Sequence, residues 1–299
     1  VFNNQLLHAG VAPVNLSTVR PLSSDWQNCS VSPQDGITPM VGTVFNRSFN
    51  TCALVGGALM LKEYGHLIDS HEAVIRVNRL PRGRYRPFVG SKTTVYFAGA
   101  VADDVDRFAD VGYLAQYVSK SGKKVMCNYE SNFCKRKFDH LVLNSGRLGP
   151  KEEWSAKYPR WRPGWRPERS TFSISHMSMA VTDAIRLAES AVIGLTRTQK
   201  VTSGIQAVFL AACACNSIDV YGMASAGTFD MHRISPTHNL EKERRFLLSL
   251  AAGYDLRLSS CTDRFDASAE ACETLDKILC FLAAQARQKK FVIHRQAFR

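Results

Sequence analysis

Residues 52–94 constrain the fold of this chain more than any other segment. An apolar run that begins at Cys52 ends in Gly56 and Gly57, and a second apolar run ends in Asn78. Glycines at the end of a strand let backbone amides approach a phosphate or a nucleotide closely, and a polar side chain after the neighbouring strand can reach the same crevice. The segment therefore predicts an α/β fold with a nucleotide-binding crevice at the strand ends.

Short apolar runs rich in β-branched residues alternate with amphipathic segments along the chain. The predicted strands are residues 52–57, 73–78, 93–99, 123–129, 140–145, 218–222 and 254–260. The predicted helices are residues 103–121, 174–195, 203–215, 235–252 and 268–290. Strands that alternate with helices form a Rossmann-like, mainly parallel sheet flanked by helices.

The character of the chain changes at about residue 44. Residues 1–44 lack clear periodicity and contain four prolines, a pattern typical of a stem or an irregular segment. Residues 45–299 are long enough to bury a full core and are predicted to form a single domain. No apolar run reaches 18 residues, so no transmembrane segment is predicted.

The charge of the chain restricts its partners. A net charge of +12 favours acidic partners, such as a nucleotide, an anionic glycan or an acidic membrane surface. No recognised nucleic-acid module accompanies the charge, so nucleic acid is not predicted as a partner. A nucleotide-binding oxidoreductase is also disfavoured, because no G-x-G-x-x-G follows a predicted strand.

Nine cysteines and three Asn-x-Ser sequons, at Asn15, Asn28 and Asn46, favour a secretory lumen. An odd number of cysteines leaves at least one of them outside any bridge within the chain. Local candidates for bridges are Cys261 with Cys272 and Cys127 with Cys134, while Cys213 is predicted as a buried thiol on an apolar helix.

Three motifs resemble those of the eukaryotic sialyltransferases, glycosyltransferase family 29. The family's large sialylmotif typically reads C-A-V-V-G-N-S-G, then I-D-S-H-(D/E)-x-V-(I/L)-R-x-N, then V-G-(S/T)-(K/R)-T, and residues 52–94 resemble it. Residues 201–204 and 214–222 are similar to the small sialylmotif, and residues 238–243 fit the very short motif H-x-x-x-x-E. The motifs occur in the order of the family.

This resemblance implies a variant of the GT-A-like fold and an inverting transfer of sialic acid, or a related acidic 3-deoxy sugar, from a CMP-sugar to a glycan hydroxyl. The acceptor would be a glycoprotein, a glycolipid or a polysaccharide. No cofactor or metal is expected. Members of the family are typically type II membrane proteins of the Golgi lumen, so a membrane anchor is expected upstream of these residues.

His238 is the predicted catalytic base, because it matches the histidine of the very short motif and a neutral imidazole accepts a proton well near neutral pH. Ser235 and Pro236 favour a helix start, which would place His238 in the first helical turn, where the helix dipole keeps the ring neutral. Glu243 lies about 140° round such a helix from His238. Glu243 is therefore predicted to tie the helix to a neighbouring loop.

The resemblance also implies a set of CMP-binding residues and one disulfide. The residues matched to the donor site are Gly56, Gly57, Asn78, Thr202, Ser203, Gly204 and Gly222. From the residues alone, an ordinary helix cap is the better interpretation of Thr-Ser-Gly at 202–204. Cys52 and Cys215 match the two cysteines that join the large and small motifs. Asp69 and His71 are predicted to fix the turn between two strands.

The chain departs from the family pattern at two places. Gly57, Ala58 and Leu59 replace N-S-G, which removes an asparagine that binds the donor. The family's third motif, of the H-Y-(F/Y) type, is not found, and His232 is the candidate to support the phosphate instead. These departures leave open a transferase that uses CMP-3-deoxy-octulosonate (CMP-Kdo), or a catalytically inactive member that binds CMP.

Two further segments carry candidate residues. Trp161 and Trp165 lie in a segment rich in Pro and Arg, where tryptophan faces can stack on the sugar rings of an acceptor and the alternative is an ordered surface loop. Asp103, Asp104 and Asp106 suggest a D-x-D metal motif. They lie at a predicted helix start, where carboxylates interact favourably with the dipole, so no metal site is predicted.

Overall fold

The structure of this chain, a computed structural model, describes residues 29–31, 37–41, 48–57, 60, 62–77, 85–98, 139–143, 173–223, 237–258, 261 and 267–294. Its strands are β1 (Ile37–Val41), β2 (Cys52–Val55), β3 (Ala73–Val77), β4 (Val95–Ala98), β5 (His140–Leu143), β6 (Ser173–Met177), β7 (Ile218–Tyr221) and β8 (Phe291–His294). Its helices are α1 (Gly65–Asp69), α2 (Arg86–Val89), α3 (Met179–Ala191), α4 (Ser203–Ala214), α5 (Leu240–Ala251) and α6 (Ala269–Arg287).

The strands form one sheet in the order β1-β6-β5-β4-β3-β2-β7-β8. Every neighbouring pair is parallel except β1 and β6, which pair antiparallel at one edge. The chain adds strands on one side of β2 as far as β6 and then places β7 and β8 on the other side. In open α/β sheets, ligands bind outside the carboxyl ends of the strands where the order reverses, which here is between β2 and β7.

Both faces of the central strands are covered. Cys52 and Leu54 point into the large core formed with α3, α4, α5 and α6, whereas Ala53 and Val55 point to the opposite face, where Tyr64 and Ile68 cover them. As a result, β2 and β3 are buried along their whole length. The predicted α/β class with a Rossmann-like, mainly parallel sheet is confirmed.

Three disulfides join the described residues. The bridge between Cys52 and Cys215, implied by the resemblance, links the start of β2 to the end of α4. The predicted local bridge between Cys261 and Cys272 is also present. Cys29 pairs with Cys280 of α6, which we did not predict. Cys213 is buried on α4 and takes no part in these bridges, and Cys127 and Cys134 lie outside the described residues.

Three strands, β1, β6 and β8, differ from the sequence-based prediction. Residues 37–41, within the segment predicted as irregular, form the edge strand β1, where Pro39 is tolerated because an edge strand needs fewer backbone donors. Residues 174–177, predicted as the start of a helix, belong to β6, and the helix begins only after Ser178, whose side chain accepts a hydrogen bond from the Val181 amide. The final strand β8 was not predicted, because its four residues follow a basic segment.

The segment 254–258, predicted as a strand, contains only a single β-bridge residue, Asp255, and does not extend into a strand. The carboxylate of Asp255 accepts hydrogen bonds from the backbone amide and the guanidinium of Arg257, two residues further on. Such local side-chain bonds to the backbone compete with pairing in a sheet.

Candidate active site

The carboxyl ends of β2 and β7 meet at two glycines. The Gly56 amide, directly after β2, donates a hydrogen bond of 2.8 Å to the carbonyl oxygen of Tyr221, the last residue of β7. A Cβ atom on Gly56 would lie 2.6 Å from the Gly222 carbonyl oxygen and 2.7 Å from Cγ of Met223. Gly222 itself has φ of 64°, a conformation that favours glycine. Both glycines are therefore required by the close packing of the two strand ends.

Gly57 has different surroundings. It is exposed, and a Cβ atom built on it would meet nothing within 4 Å. Among the described residues, none therefore fills the position where the large sialylmotif carries an asparagine.

The start of α4 lies beside this strand edge. A Cβ atom on Gly204 would lie 3.3 Å from the sulfur of Met223, so Met223 lies between Gly204 and Gly56. The first amides of an α-helix have no intrahelical acceptor, and the helix dipole is positive at that end. The arrangement therefore presents backbone donors and a partial positive charge at the crevice, which suits an anionic group.

Glu243 fixes the residue that precedes α4. The Thr202 amide donates to one Glu243 oxygen at 2.8 Å, and the Thr202 hydroxyl donates to the other at 2.6 Å. Glu243 is 4% exposed, and burial raises its pKa although the bonds from Thr202 lower it in part. The prediction that Glu243 ties its helix to a neighbouring loop is confirmed.

His238 lies outside the first turn of α5, so the prediction that it belongs to that turn is wrong. The N-cap is Asn239, whose side-chain oxygen accepts a hydrogen bond of 3.1 Å from the Lys242 amide. Asparagine caps a helix with its own side chain, which makes an earlier start at Ser235 and Pro236 unnecessary. The argument that the first-turn dipole keeps the His238 ring neutral does not apply to this position.

The Lys200 carbonyl instead determines which ring nitrogen of His238 carries the proton. Nδ1 of His238 lies 2.8 Å from this carbonyl oxygen. A carbonyl can only accept, so Nδ1 carries the hydrogen and donates it. In a neutral ring the second nitrogen, Nε2, is then the basic one.

Residues 192–202, which we call the strap, connect α3 to α4 and carry that carbonyl. The Lys200 amide donates to the Thr237 carbonyl at 2.8 Å, so the strap and the segment before α5 are bonded in both directions. The ammonium group of Lys242 donates to the Gly194 carbonyl. On the other side, Glu189 of α3 accepts a hydrogen bond of 2.9 Å from the Val201 amide, and burial raises the pKa of this carboxyl group.

The family model for glycosyltransferase family 29 (sialyltransferase) matches residues 27–253. The chain belongs to glycosyltransferase family 29. All three motifs noted in the sequence fall within the matched residues. The structure places Gly56 of the large motif beside Gly222 of the small motif, and it joins Thr202 of the small motif to Glu243 of the very short motif.

Named relatives of this family 29 chain match it over short stretches. A β-1,6-galactosyltransferase of Arabidopsis thaliana is 42% identical over 59 residues, which are 19% of this chain and 15% of that protein. CMP-N-acetylneuraminate-beta-galactosamide-alpha-2,3-sialyltransferase 1 of Gallus gallus is 50% identical over 52 residues, which are 17% of this chain and 15% of that protein. The chain therefore spans only 15% of the length of each of these two relatives.

A solved structure is also similar. The crystal structure of a mammalian sialyltransferase has 14% sequence identity and a TM-score of 0.44, and the match covers 81% of this chain and 96% of that chain.

Several predicted site residues of this family 29 chain lie outside the described residues. They are Asn78, matched to donor binding, His232, the candidate to support the phosphate, and Trp161 and Trp165, the candidates to contact the acceptor. Asp103, Asp104 and Asp106, where no metal site is predicted, also lie outside the described residues. Among the residues that the structure does describe, no group of three His, Cys, Asp or Glu side chains could hold a metal ion.

A second polar cluster, which the sequence analysis missed, lies on the opposite face of β7 from the large core. Asp219 accepts hydrogen bonds from Nε2 of His71 at 2.7 Å and from Nε2 of His294 at 2.8 Å. Burial raises the pKa of Asp219, but the bonds from the two histidines outweigh it and lower the value to about 2. The cluster ties the turn before β3 to β7 and β8, so the prediction that His71 is architectural is confirmed.

Asp69 is architectural as well. Its carboxylate accepts hydrogen bonds from the Ser91 amide and hydroxyl and from the Lys92 amide, all between 2.8 and 2.9 Å. These bonds hold the Val-Gly-Ser-Lys-Thr loop, the last part of the large sialylmotif, against the end of α1. The large motif therefore includes residues that shape the fold as well as residues at the crevice.

Proposed function

We propose that this chain transfers sialic acid from CMP-sialic acid to a glycan hydroxyl with inversion, with His238 as the general base and without a metal or cofactor. Membership of family 29 supports the reaction class. The observation that carries the proposal is the bond from Nδ1 of His238 to the Lys200 carbonyl, because it leaves Nε2 as the basic nitrogen of a neutral ring.

The donor would bind between the ends of β2 and β7 and the start of α4. The first amides of an α-helix have no intrahelical acceptor, so the amides of Ser203 and Gly204 are proposed to donate to the phosphate at this helix start. The Thr202 hydroxyl already donates its hydrogen to Glu243, so it cannot donate to a phosphate at the same time. Thr202 would therefore position the helix start, and the amides would bind the CMP phosphate.

In the chemical step, Nε2 of His238 would remove the proton of the acceptor hydroxyl as its oxygen attacks the anomeric carbon. The bond from that carbon to the phosphate oxygen breaks, and CMP leaves with the bonding electron pair. The imidazolium that forms keeps its Nδ1–H bond to the Lys200 carbonyl, whose partial negative charge stabilises it. The start of α4 would stabilise the charge that develops on the departing phosphate.

A CMP-Kdo donor is a second candidate, and Gly57 is the observation that favours it. At this position glycine replaces the asparagine of the large motif, and no described residue lies within 4 Å of a Cβ atom built on it. Kdo and sialic acid share a carboxylate at the anomeric carbon, but they differ in the substituents further along the sugar. A changed contact near the mouth of the crevice would alter the choice of sugar more than the choice of nucleotide.

We further propose a Golgi-luminal enzyme with its membrane anchor upstream. Disulfides are typical of oxidising compartments, and three of them join the described residues. None of the helices within the described residues has the length and apolar character needed to cross a bilayer. Trp161 and Trp165 are proposed to contact the acceptor glycan, whether it belongs to a glycoprotein, a glycolipid or a polysaccharide.

The deciding experiment measures CMP release from CMP-N-acetylneuraminate and, separately, from CMP-Kdo, with and without a galactose-terminated glycan and in the presence of EDTA. Release with one donor would identify the sugar. His238→Ala is expected to lower kcat by at least about 100-fold, because general base catalysis contributes factors of this size. His66→Ala is the matched control, since His66 is an exposed histidine of α1.

Other outcomes have definite meanings. CMP binding by calorimetry without turnover of either donor would indicate an inactive family member. Equal activity of His238→Ala and His66→Ala would contradict the role of His238. Absence of both turnover and CMP binding would overturn the proposed site.

A further inference from the structure

We propose that Glu189 is a positioning residue for His238, acting through a single peptide group of the strap. This inference rests on the proposed function of His238 as the base. Glu189 lies outside the three sialylmotifs quoted above, and its side chain belongs to α3, whereas His238 precedes α5.

The connection runs through the peptide bond between Lys200 and Val201. The N–H of this peptide belongs to Val201 and donates to Oε1 of Glu189 at 2.9 Å. The C=O of the same peptide belongs to Lys200 and accepts the hydrogen from Nδ1 of His238 at 2.8 Å. A peptide group is planar and nearly always trans, so its N–H and C=O point in opposite directions. Fixing the N–H on Glu189 therefore fixes the direction of the carbonyl that holds His238.

Glu189 holds the strap at two points. Its backbone carbonyl accepts a hydrogen bond of 2.7 Å from the Leu195 amide near the start of the strap, and its carboxylate binds the Val201 amide near the end. Both ends of the segment from Leu195 to Val201 are thus hydrogen-bonded to Glu189 of α3. Rotation of the peptide between Lys200 and Val201 would break the bond to the carboxylate.

The neighbouring peptide is held in a similar way. Its amide, that of Thr202, donates to Glu243, so two carboxylates of limited exposure accept two successive amides of the strap. Glu243 belongs to the very short motif, and its bonds orient the start of α4. Glu189 binds the peptide whose carbonyl contacts His238, so the two carboxylates serve the donor side and the base side of the crevice respectively.

Hydrogen bonds in a chain polarise one another, and this gives Glu189 a second effect. A carboxylate that accepts the Val201 N–H increases the negative charge on the Lys200 oxygen. That oxygen then favours the ring form with hydrogen on Nδ1 more strongly. The chain of hydrogen bonds from the Glu189 carboxylate through the peptide to the His238 ring therefore determines both the orientation of His238 and the nitrogen that acts as the base.

The test compares Glu189→Ala, Glu189→Gln and Glu273→Ala in the full chain. Glu189→Ala removes the acceptor and is expected to lower kcat between about 10-fold and 100-fold with a smaller change in the KM of the donor, because misplacement of a catalytic group costs factors of this size. Glu189→Gln keeps an oxygen that can accept the Val201 N–H and is expected to retain most of the activity. Glu273→Ala removes an exposed carboxylate of α6 and is expected to keep the activity unchanged.

Nitrogen-15 NMR of the histidine rings separates positioning from general stability. The wild type and Glu189→Gln are expected to show His238 with hydrogen on Nδ1, with the signal assigned by its loss in His238→Ala. Glu189→Ala is expected to show a mixture of the two ring forms. If Glu189→Ala does not fold, Glu189→Asp replaces it in the test. This variant withdraws the carboxylate by one methylene, and it is expected to lower kcat and to show a mixture of the two ring forms of His238.

The proposal is overturned if Glu189→Ala keeps the wild-type kcat and ring form, or if Glu189→Gln is as impaired as Glu189→Ala. It is also overturned if wild-type His238 carries its hydrogen on Nε2. The ring-form comparison does not depend on turnover. If the wild type transferred no sugar, the proposed function would fail, and the NMR comparison would still decide whether Glu189 positions His238.

Discussion

At the scale of single residues, Gly56 and Gly57 form a matched pair that tests the crevice. Gly56→Ala is expected to destabilise the fold by about 1–3 kcal/mol, because its Cβ would lie 2.6 Å from a backbone oxygen and one strand end must move. It should also weaken CMP binding. Gly57→Ala has room for its Cβ and should change neither property. Thermal unfolding and calorimetry with CMP measure both, and identical behaviour of the two variants would contradict this geometry.

The residues around His238, the proposed base, differ in how well the sequence predicts them. His238 and Glu243 are recognisable because they belong to a motif. Lys200 and Glu189 are not, because the contacts that matter pass through a backbone carbonyl and a backbone amide. Any residue other than proline could supply the peptide group, so no side chain marks it in the sequence. Such a connection becomes visible only when the strap, α3 and the start of α5 are placed together.

At the scale of elements, the start of α5 positions the base, and its cap is a suitable target. Asn239→Ala removes the side-chain acceptor of the Lys242 amide and is expected to destabilise the protein by about 1 kcal/mol. Ser268→Ala removes the equivalent bond to Ala271 at the start of α6 and should cost about the same. Only Asn239→Ala should also lower kcat, because His238 directly precedes that cap.

Unfolding in urea and donor turnover decide this comparison. A fall in kcat of the same size in both variants would show that a general loss of stability, and not the local position of His238, controls activity.

The accuracy of the element predictions follows from burial. β2, β3 and α4 were predicted nearly to the residue, because continuous apolar runs are buried on both sides. The edge strands β1 and β8 were missed. An edge strand has one neighbour instead of two, so it needs less apolar sequence and tolerates a proline or a flanking basic segment.

At the scale of the whole molecule, the strand order brings the motifs together. Alternating strands and helices predict a parallel sheet, but they do not specify that β7 lies beside β2. That neighbourhood places Gly222 next to Gly56, and the bridge between Cys52 and Cys215 closes a loop with a sequence separation of 163. Such a cross-link stabilises by about 5 kcal/mol in the chain-entropy treatment. The family resemblance, and not the periodicity, indicated this pairing.

The cluster around Asp219 ties the turn before β3 to β7 and β8, and it links the stability of the sheet to pH. The bond to Asp219 raises the pKa of His71 above 6.5. The contribution of His71 to the free energy of unfolding is therefore complete below pH 6.5, and it is lost as the pH rises through the pKa of His71 in the folded state. The pKa of Asp219 falls from 3.8 to about 2, so its contribution is present above pH 3.8 and is lost as the pH falls towards 2. Both contributions are complete between pH 3.8 and pH 6.5.

Asp219→Asn is therefore expected to lower the free energy of unfolding by about 2 kcal/mol within this window, and by less on either side of it. Urea unfolding of the wild type and the variant at about pH 3, pH 5 and pH 8 measures the difference. Asp183→Asn is the control, because the pair of Asp183 with Arg186 is exposed and should contribute little at any pH. A difference for Asp219→Asn that stayed constant from pH 3 to pH 8 would mean that the carboxylate stabilises the sheet through packing and not through its charge on His71 and His294.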